Sequence, residues 1–466
     1  MYRWRYIFGY SLVGLLLAGL LVFVGFYLPG GLATAEMTSV VRSASLSLSD
    51  PSSLAVSNLP YYGLQAVIYN AFGISTFTIK LLSLVIALVS AIGFILLLRR
   101  WFKPNIAVLA SLIAITTGQF LFIAQQGTPG IMYVFWPVLL LLLGTQITRG
   151  HKFRFLWKIL FALTAAISLY TPLSIYPLIA ILLAIILHPH LRNTVRKLSK
   201  PRLAVVGLVF LAAIAPLIYG ITLNPQLGLT LLGIPSVWPP DFKANVITVL
   251  SQYFMFWQPG TSALMTPVFG LGSVILILLG SYRLFRTRET TRSYLIIIWI
   301  ICLIPVLLLN PIFTSVTFVP SMLLLAAGLT SLISYWYRLF PFNPYARITG
   351  LIPIIILVMA LSISGLSRYI YGYHYNSIQA TLFSKDLTLL PDDTKQLIVS
   401  DKQRPFYIAV AKYQTNIQVV TQPADDTVVV TRDARKTIPG YEINRIITNG
   451  FENESDRLYV YKKTTN

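Results

Sequence analysis

The sequence predicts an α-helical polytopic membrane protein with about eleven transmembrane helices, followed by a small C-terminal extracytoplasmic α/β domain. Three observations carry this prediction. Apolar residues make up 56% of the 466-residue chain and the mean hydropathy is +0.72, against about 45–50% apolar residues in a soluble domain. Charged residues make up only 11%, where about 25% is usual. Eleven of the fifteen acidic residues follow residue 375, so the end of the chain differs in character from the rest.

Long apolar segments recur along the first 370 residues, and a helix needs about 20 such residues to cross a bilayer. The two segments on either side of Thr171-Pro172 are also compatible with one kinked helix, because proline breaks the hydrogen-bond ladder without forbidding a span. The predicted spans are Tyr6–Leu28, Ser75–Leu98, Asn105–Ile123, Ile131–Ile147, Phe155–Tyr170, Leu173–Leu187, Leu203–Ile221, Ala263–Leu284, Tyr294–Leu309, Thr317–Tyr335 and Gly350–Leu366.

The basic residues between these spans alternate in number from loop to loop. Twenty lie in one set of loops, whereas the opposite loops hold only Arg42, Lys80 and Lys243 before the tail. The positive-inside rule therefore predicts a multi-pass protein of the plasma membrane with a cytoplasmic N-terminus and a tail outside. Merging the two segments around Thr171-Pro172 would destroy the alternation, so eleven spans are favoured. The net charge of +21 comes from these short clusters and does not indicate nucleic-acid binding.

The same pattern divides the chain into two domains. Residues 1–374 form the transmembrane domain, with two long outer loops at 29–74 and 222–262, and residues 375–466 form the outer α/β domain. Loops of this length in a compact domain usually carry function. In the tail, apolar runs typical of strands alternate with two stretches typical of helices. The strands are expected at Leu397–Ser400, Ile417–Thr421, Thr427–Thr431, Asn444–Thr448 and Arg457–Lys462, and the helices at Ser377–Leu390 and Arg404–Tyr413.

Four carboxylates are all that the first 370 residues contain, and this scarcity narrows the choice of a catalytic acid or base. Glu36, Asp50 and Asp241 are expected outside and Glu289 in the cytoplasm. Glu36 lies close behind the first span, where a general base could act on a substrate at the membrane surface; a charge at a helix N-terminus is the structural alternative. Asp50-Pro51 is typical of a turn or helix start. Asp241 is the possible second acid.

Cations and metal ligands are equally few in the outer loops. Lys80 and Arg42 are the candidate ligands for a substrate phosphate, with Lys243 the remaining outer cation before the tail. The four histidines and the single cysteine, Cys302, show no metal-ligand spacing, so no metal and no bound cofactor are predicted. Cys302 lies within an apolar run and is expected to be a small core residue.

The order of residues in the first outer loop resembles that of GT-C-type glycosyltransferases. After Glu36 come Asn58-Leu-Pro-Tyr-Tyr62, then Phe72-Gly73, then Lys80-Leu81. In the family of protein O-mannosyltransferases and aminoarabinose transferases, the corresponding motifs are Asp-Glu, His-Pro-Pro-Leu-Tyr, Phe-Gly and Arg-Leu. Leu169-Tyr-Thr-Pro-Leu173 and Phe318-Val-Pro-Ser-Met322 are similar to later landmarks of that family, and an outer C-terminal domain also fits it.

The resemblance implies a membrane glycosyltransferase that moves a sugar from a polyprenyl-phosphate donor to a protein, lipid or glycan acceptor. Glu36 then corresponds to the general base and Lys80 to a phosphate contact. The sequence departs from the family at Ala35, where Asp is frequent, and at Gln126 and Gly130, where Arg and Asp are usual. These departures place metal assistance in question, and they leave open an inactive relative.

Two other classes of function are compatible with the chain. A transporter or flippase for lipid-linked glycans would carry ionisable residues within its spans, and the sequence has essentially none there. A non-catalytic cell-envelope assembly protein would use the outer domain to bind a partner and would tolerate the loss of Glu36.

The topology can be measured with reporter fusions. Reporters fused after Thr148 and Ser199 are expected to read cytoplasmic, and a reporter after Leu366 is expected to read exterior, because the basic residues divide twenty to three. A cytoplasmic signal from the tail would overturn the eleven-span topology and the sidedness of Glu36 together.

Overall fold

The chain folds into a helical bundle with a small sheet at one end. The computed structural model describes residues 7, 10, 11, 14–22, 31–47, 49–148, 153–235, 237–256, 268–339, 342, 344–374, 383, 385–391, 393–414, 417–448 and 456–464. The α-helices in these ranges, after the helical residues 14–22, are Thr34–Ser45, Leu59–Phe72, Thr76–Trp101, Pro104–Thr116, Gly118–Gln125, Met132–Thr148, Arg154–Ser168, Ile175–Leu187, Pro189–Arg196, Lys200–Leu223, Pro225–Leu232, Phe242–Phe254, Leu271–Arg286, Thr291–Leu309, Phe318–Leu339, Pro344–Thr349, Leu351–Tyr369 and Arg404–Tyr413.

The predicted polytopic helical fold is confirmed, and each predicted span after the first overlaps a helix. Within the described ranges, six helical segments are long and apolar enough to cross a membrane alone, and two bent pairs bring the total to eight. One bent pair occupies the predicted span Asn105–Ile123, where the chain turns by 57° at Thr117. The Thr117 hydroxyl donates to the Ala114 carbonyl and accepts from the Phe120 N–H, so one helix ends and the next begins at this residue. The number eleven stays a prediction.

One close helix contact in the bundle depends on two glycines. Helices Leu271–Arg286 and Phe318–Leu339 cross at Gly280 and Gly328. A Cβ on Gly280 would lie 1.9 Å from the Leu324 carbonyl oxygen, and a Cβ on Gly328 would lie 2.1 Å from that of Leu276. Small residues let membrane helices approach backbone to backbone, where dispersion contacts replace the missing hydrophobic drive. This packing makes Phe318–Leu339 a central helix of the bundle.

Basic segments that the sequence assigns to the cytoplasm meet at one end of the bundle. The Arg292 guanidinium donates to the Trp101 carbonyl and lies 5.2 Å from the Phe102 ring. His188 Nε2 lies 3.0 Å from the carbonyl oxygen of Glu289. Three loops that are distant in sequence therefore share one surface, as the alternation of basic residues predicts.

The predicted α/β character of the tail is confirmed. Five strands form one sheet: β1 Gln396–Ile398, β2 Gln418–Val420, β3 Thr427–Thr431, β4 Tyr441–Thr448 and β5 Arg457–Lys463. Their order is β2-β1-β3-β5-β4, in which β1 pairs in parallel with β2 and β3, and β5 pairs antiparallel with β3 and β4. Half of the predicted helix Ser377–Leu390 lies outside the described residues; in the other half the prediction is wrong, because Lys385 forms a β-bridge with Leu32 and Leu387–Leu389 form a 3₁₀ turn.

The tail packs against the first outer loop. Phe406 and Val410 of helix Arg404–Tyr413 share an apolar core with Val40 and Ala44 of helix Thr34–Ser45. The Lys412 ammonium donates to the Ala44 carbonyl oxygen at 2.6 Å. The tail and this loop therefore lie on the same side of the bundle. The domain boundary at residue 375 stays a prediction, but the shared core makes the two regions one structural unit.

This contact predicts the effect of enlarging Ala44, which is 6% exposed. Ala44→Trp should lower the thermal midpoint and make the tail sensitive to protease, because overpacking a filled core costs about 1–3 kcal/mol. Limited proteolysis of the purified protein measures the release of the tail. Thr38→Trp, on the exposed side of the same helix, is the matched control and should leave the digestion pattern unchanged. Equal digestion of the Ala44→Trp protein and the wild type would contradict the shared core.

Candidate active site

Glu36 lies in the first turn of helix Thr34–Ser45, where an acidic side chain is favoured by the free N–H groups of the helix. Its Oε2 accepts a hydrogen bond from the Ala33 N–H at 2.8 Å, which closes the start of its own helix. Its Oε1 accepts from the Gly127 N–H at 2.7 Å, so it also holds a loop 91 residues further along the chain. The side chain is 0% exposed. Each carboxylate oxygen therefore has a backbone partner in this buried site.

Lys80 lies beside Glu36, although 44 positions separate them in the sequence. The first turns of helix Thr76–Trp101 place the Lys80 ammonium 3.9 Å from Glu36 Oε1, and it donates to the Gly31 carbonyl oxygen at 3.0 Å. The Phe383 ring, from the tail, is centred 5.8 Å from the same ammonium. Buried charges are tolerated only when they are paired and hydrogen-bonded, and this pair meets that requirement.

Gly127 has to be a glycine for this geometry. A Cβ at this position would lie 2.5 Å from Ile79 Cγ2 and 2.6 Å from the Ile79 carbonyl oxygen. The close approach brings the loop between two helices against helix Thr76–Trp101, with its N–H directed at Glu36. In the sequence, this loop is distinguished only by Gln126 and Gly130, at positions where the GT-C family that it resembles usually has Arg and Asp.

A buried glutamine connects the elements around the pair. Gln65 Oε1 accepts from the hydroxyls of Ser39 and Ser43 at 3.0 and 2.6 Å. Its Nε2 donates to the carbonyl oxygens of Ile79 and Gly127 at 3.4 and 3.5 Å. Sequence reasoning missed this residue. The available signal was the spacing of Glu36, Ser39 and Ser43, which places three polar side chains on one helical face.

Two tyrosines extend the polar cluster along helix Leu59–Phe72. The Tyr61 hydroxyl lies 2.8 Å from the Ser83 hydroxyl, which in turn donates to the Thr128 carbonyl at 3.2 Å. Burial raises the pKa of Tyr61, and it likewise raises the pKa of Tyr69, about two helical turns further along. Both phenols are therefore neutral at physiological pH and do not act as bases.

Arg42 lies on the exposed side of the helix that carries Glu36. Its guanidinium donates to the Tyr62 hydroxyl at 3.3 Å and lies 6.0 Å from that ring. The structure therefore places the two candidate phosphate contacts differently, with Lys80 in the interior and Arg42 at the surface. An anion at the surface of this loop could contact Arg42 without any rearrangement.

Asp50 and Asp241, the other two acids predicted to lie outside, are helix caps. Asp241 is exposed and accepts from the Ala244 N–H at 3.0 Å, which caps helix Phe242–Phe254. Asp50 accepts from the Ser52 hydroxyl and N–H, and the hydrogen bond from the hydroxyl is the main cause of its lowered pKa. The turn predicted for Asp50-Pro51 is present. The cap explains the position of Asp241 without any catalytic role. Its assignment as a possible second acid stays a prediction.

Among the described residues, no three His, Cys, Asp or Glu side chains lie close enough to hold a metal ion together. The prediction of a metal-free site rests on the sequence alone and stays a prediction. Two of the family landmarks noted in the sequence are in direct contact, because the Asn58 N–H donates to the Tyr170 carbonyl oxygen at 2.7 Å.

The chain is similar to proteins of known structure, but its sequence matches no protein family model and no curated protein. Among solved structures, ArnT from Cupriavidus metallidurans bound to undecaprenyl phosphate is 13% identical, with a TM-score of 0.55, and the match covers 97% of this chain and 98% of ArnT. The same enzyme in the apo state matches with a TM-score of 0.54 over 98% of both chains.

Archaeal oligosaccharyltransferase AglB from Archaeoglobus fulgidus, in complex with an inhibitory peptide and a dolichol-phosphate, is 13% identical with a TM-score of 0.53. That match covers 92% of this chain and 70% of AglB. In a structure of the Archaeoglobus oligosaccharyltransferase tethered to an acceptor peptide, this chain spans 63% of the longer protein, with a TM-score of 0.52. The chain therefore has the membrane fold of the GT-C-type glycosyltransferases, in a form that has diverged strongly in sequence.

Proposed function

We propose that the protein is a membrane glycosyltransferase that transfers a sugar from a polyprenyl-phosphate donor to an acceptor on the outer face of the plasma membrane. The observation that carries the proposal is the match to ArnT bound to undecaprenyl phosphate over nearly the whole of both chains. A second observation supports it: Glu36 of the first outer loop and Lys80 near the start of helix Thr76–Trp101 lie together on the side where the tail packs.

In this proposal Glu36 takes the proton from the acceptor hydroxyl. The acceptor oxygen forms a bond to the anomeric carbon of the sugar, and the bond from that carbon to the phosphate oxygen breaks. The leaving polyprenyl phosphate keeps the electron pair, and Lys80 neutralises its charge. The Lys80 ammonium has three N–H donors, and one of them binds the Gly31 carbonyl oxygen. A phosphate oxygen could therefore accept from another of these donors, and the positive charge of Lys80 would still be paired.

The reaction requires the site to open. Glu36 is 0% and Lys80 3% exposed, so neither reaches a substrate in this state. Phe383 and the backbone at Gly31 lie against Lys80. The donor phosphate would enter from the outer end of helix Thr76–Trp101 when these groups move. Lys80 would then contact the phosphate and Glu36 the acceptor hydroxyl, in place of their contact with each other. Closure around substrates is common where water has to be excluded.

A second candidate function is favoured by the same burial. A carboxylate whose two oxygens both accept backbone N–H groups, and which faces an ammonium, is well suited to hold helices together without any chemistry. The chain would then be a non-catalytic assembly protein with a GT-C fold, and its outer domain would bind a partner. The two candidate functions predict different activities for a double variant in which both charges of the Glu36–Lys80 pair are removed.

The central prediction concerns Glu36→Gln. General base catalysis is worth about 10²–10⁴-fold, so transfer from a polyprenyl-phosphate sugar should fall by that factor. The substitution also replaces one acceptor oxygen by a donor, so either the Ala33 or the Gly127 N–H loses its partner and the thermal midpoint should fall. Rates are therefore compared per folded protein. Asp50→Asn is the control, because asparagine caps a helix as well as aspartate does and transfer should be unchanged.

The double variant Glu36→Gln/Lys80→Met separates the two candidate functions. Removing one member of a buried ion pair typically costs about 3–5 kcal/mol because a charge is left unpaired, and removing both recovers much of that loss. A structural pair predicts that the double variant regains stability and cellular function together. A catalytic pair predicts that it regains stability and stays inactive in transfer. Full cellular function in the double variant would exclude Glu36 as the base.

Binding of undecaprenyl phosphate to the purified protein tests Lys80 directly. Lys80→Met should weaken binding by roughly tenfold to a hundredfold, since a charge-assisted hydrogen bond contributes about 1.5–3 kcal/mol. Arg42→Met should have a smaller effect, because its exposed guanidinium is screened by solvent. Lys243→Met, an exposed cation of the second outer loop, is the matched control. Identical dissociation constants for Lys80→Met and Lys243→Met would remove Lys80 from the donor site.

A further inference from the structure

We propose that Gln65 is the positioning residue of the Glu36–Lys80 site, a role that rests on the proposed function of that site. The pair is held by three segments that are separate in sequence: helix Thr34–Ser45, helix Thr76–Trp101 and the loop at Gly127. Gln65 belongs to none of them. It projects from helix Leu59–Phe72 and is 0% exposed.

The four hydrogen bonds of Gln65 reach all three of the segments that hold the pair. Oε1 accepts from Ser39 and Ser43, one and two turns after Glu36 on the same helix. Nε2 donates to the carbonyl oxygen of Ile79, the residue before Lys80. It also donates to the carbonyl oxygen of Gly127, whose N–H binds Glu36. A side-chain amide can make these four bonds together, because its oxygen accepts two hydrogen bonds while its nitrogen donates two.

Gly127 shows why the position of this amide matters. Its carbonyl is held by Gln65 and its N–H by Glu36, so two side chains fix the residue from opposite ends. The residue also packs directly on Ile79. If Gln65 no longer donates, the loop loses one of these two constraints, and the Ile79 carbonyl loses its side-chain donor at the same time. Both changes act on the distance between Glu36 Oε1 and the Lys80 ammonium, now 3.9 Å.

The test is a double-mutant cycle on undecaprenyl phosphate binding. Gln65→Met keeps the length of the side chain and removes every hydrogen bond. It should weaken binding about tenfold in the wild-type background and less than twofold in the Lys80→Met background, because a residue that acts through another adds nothing once that residue is gone. The same factor in both backgrounds would overturn the proposal. Gln119→Met is the control: Gln119 is buried to a similar degree, donates to Ser315, and should leave the dissociation constant unchanged.

Chemical labelling of Lys80 supplies a readout that does not depend on the donor. A water-soluble acetylating reagent followed by peptide mass spectrometry should find Lys80 protected in the wild type and in Gln119→Met, and at least tenfold more reactive in Gln65→Met. Equal protection in Gln65→Met and the wild type would overturn the positioning role.

The two measurements also distinguish the failure of this proposal from failure of the proposed function. If the wild type does not bind undecaprenyl phosphate, the proposed function fails, and labelling alone decides whether Gln65 holds the pair. If the wild type binds and Lys80→Met weakens binding, yet Gln65→Met changes neither affinity nor labelling, the proposed function stands and the positioning role is wrong.

Discussion

At the end of the bundle where the tail packs, the structure depends on one buried ion pair. Removing a carboxylate and an ammonium from water costs several kcal/mol for each ion, and their attraction offsets this only when further hydrogen bonds complete the site. Glu36 and Lys80 obtain those bonds from backbone groups at Ala33, Gly127 and Gly31. The pair can therefore exist only if the first outer loop, the loop at Gly127 and helix Thr76–Trp101 adopt their positions together.

This requirement explains why the surroundings of the pair are polar in an otherwise apolar bundle. Gln65, Ser39 and Ser43 are buried amide and hydroxyl groups, and each finds a partner within the cluster. Such networks specify a single arrangement when all members are satisfied, and they are costly when one is missing. The same contacts would serve a glycosyltransferase, which needs a fixed distance between base and phosphate ligand, and a scaffold, which needs fixed helices. The presence of the pair therefore does not distinguish these two functions. The distinction depends on whether a substrate can reach Glu36 and Lys80.

Much of the fold could be predicted from the sequence, because hydropathy, charge alternation and strand-like runs are local signals. The helical membrane fold, the α/β tail and the candidate residues Glu36 and Lys80 were all accessible in this way. The bend at Thr117 was not, since the apolar pattern continues through it and a single hydroxyl makes the break. The role of Gly127 was also inaccessible, because it arises from contacts between segments that no spacing along the chain reveals. For Gln65 the signal was indirect, since the spacing of Glu36, Ser39 and Ser43 indicates a polar helical face but does not name its partner.

The tail contributes to the same site, although its composition suggests an independent domain. The Leu32 N–H donates to the Lys385 carbonyl, and the Lys385 ammonium lies 3.0 Å from Asp433 and 3.5 Å from Asp456. Gly31, the neighbour of Leu32, gives its carbonyl to Lys80. The acids concentrated in the tail thus hold the backbone that covers the one buried lysine of the outer site, within the described part of the chain. A change in how the tail sits on the first outer loop must therefore alter the environment of Lys80, whichever of the two functions the protein performs.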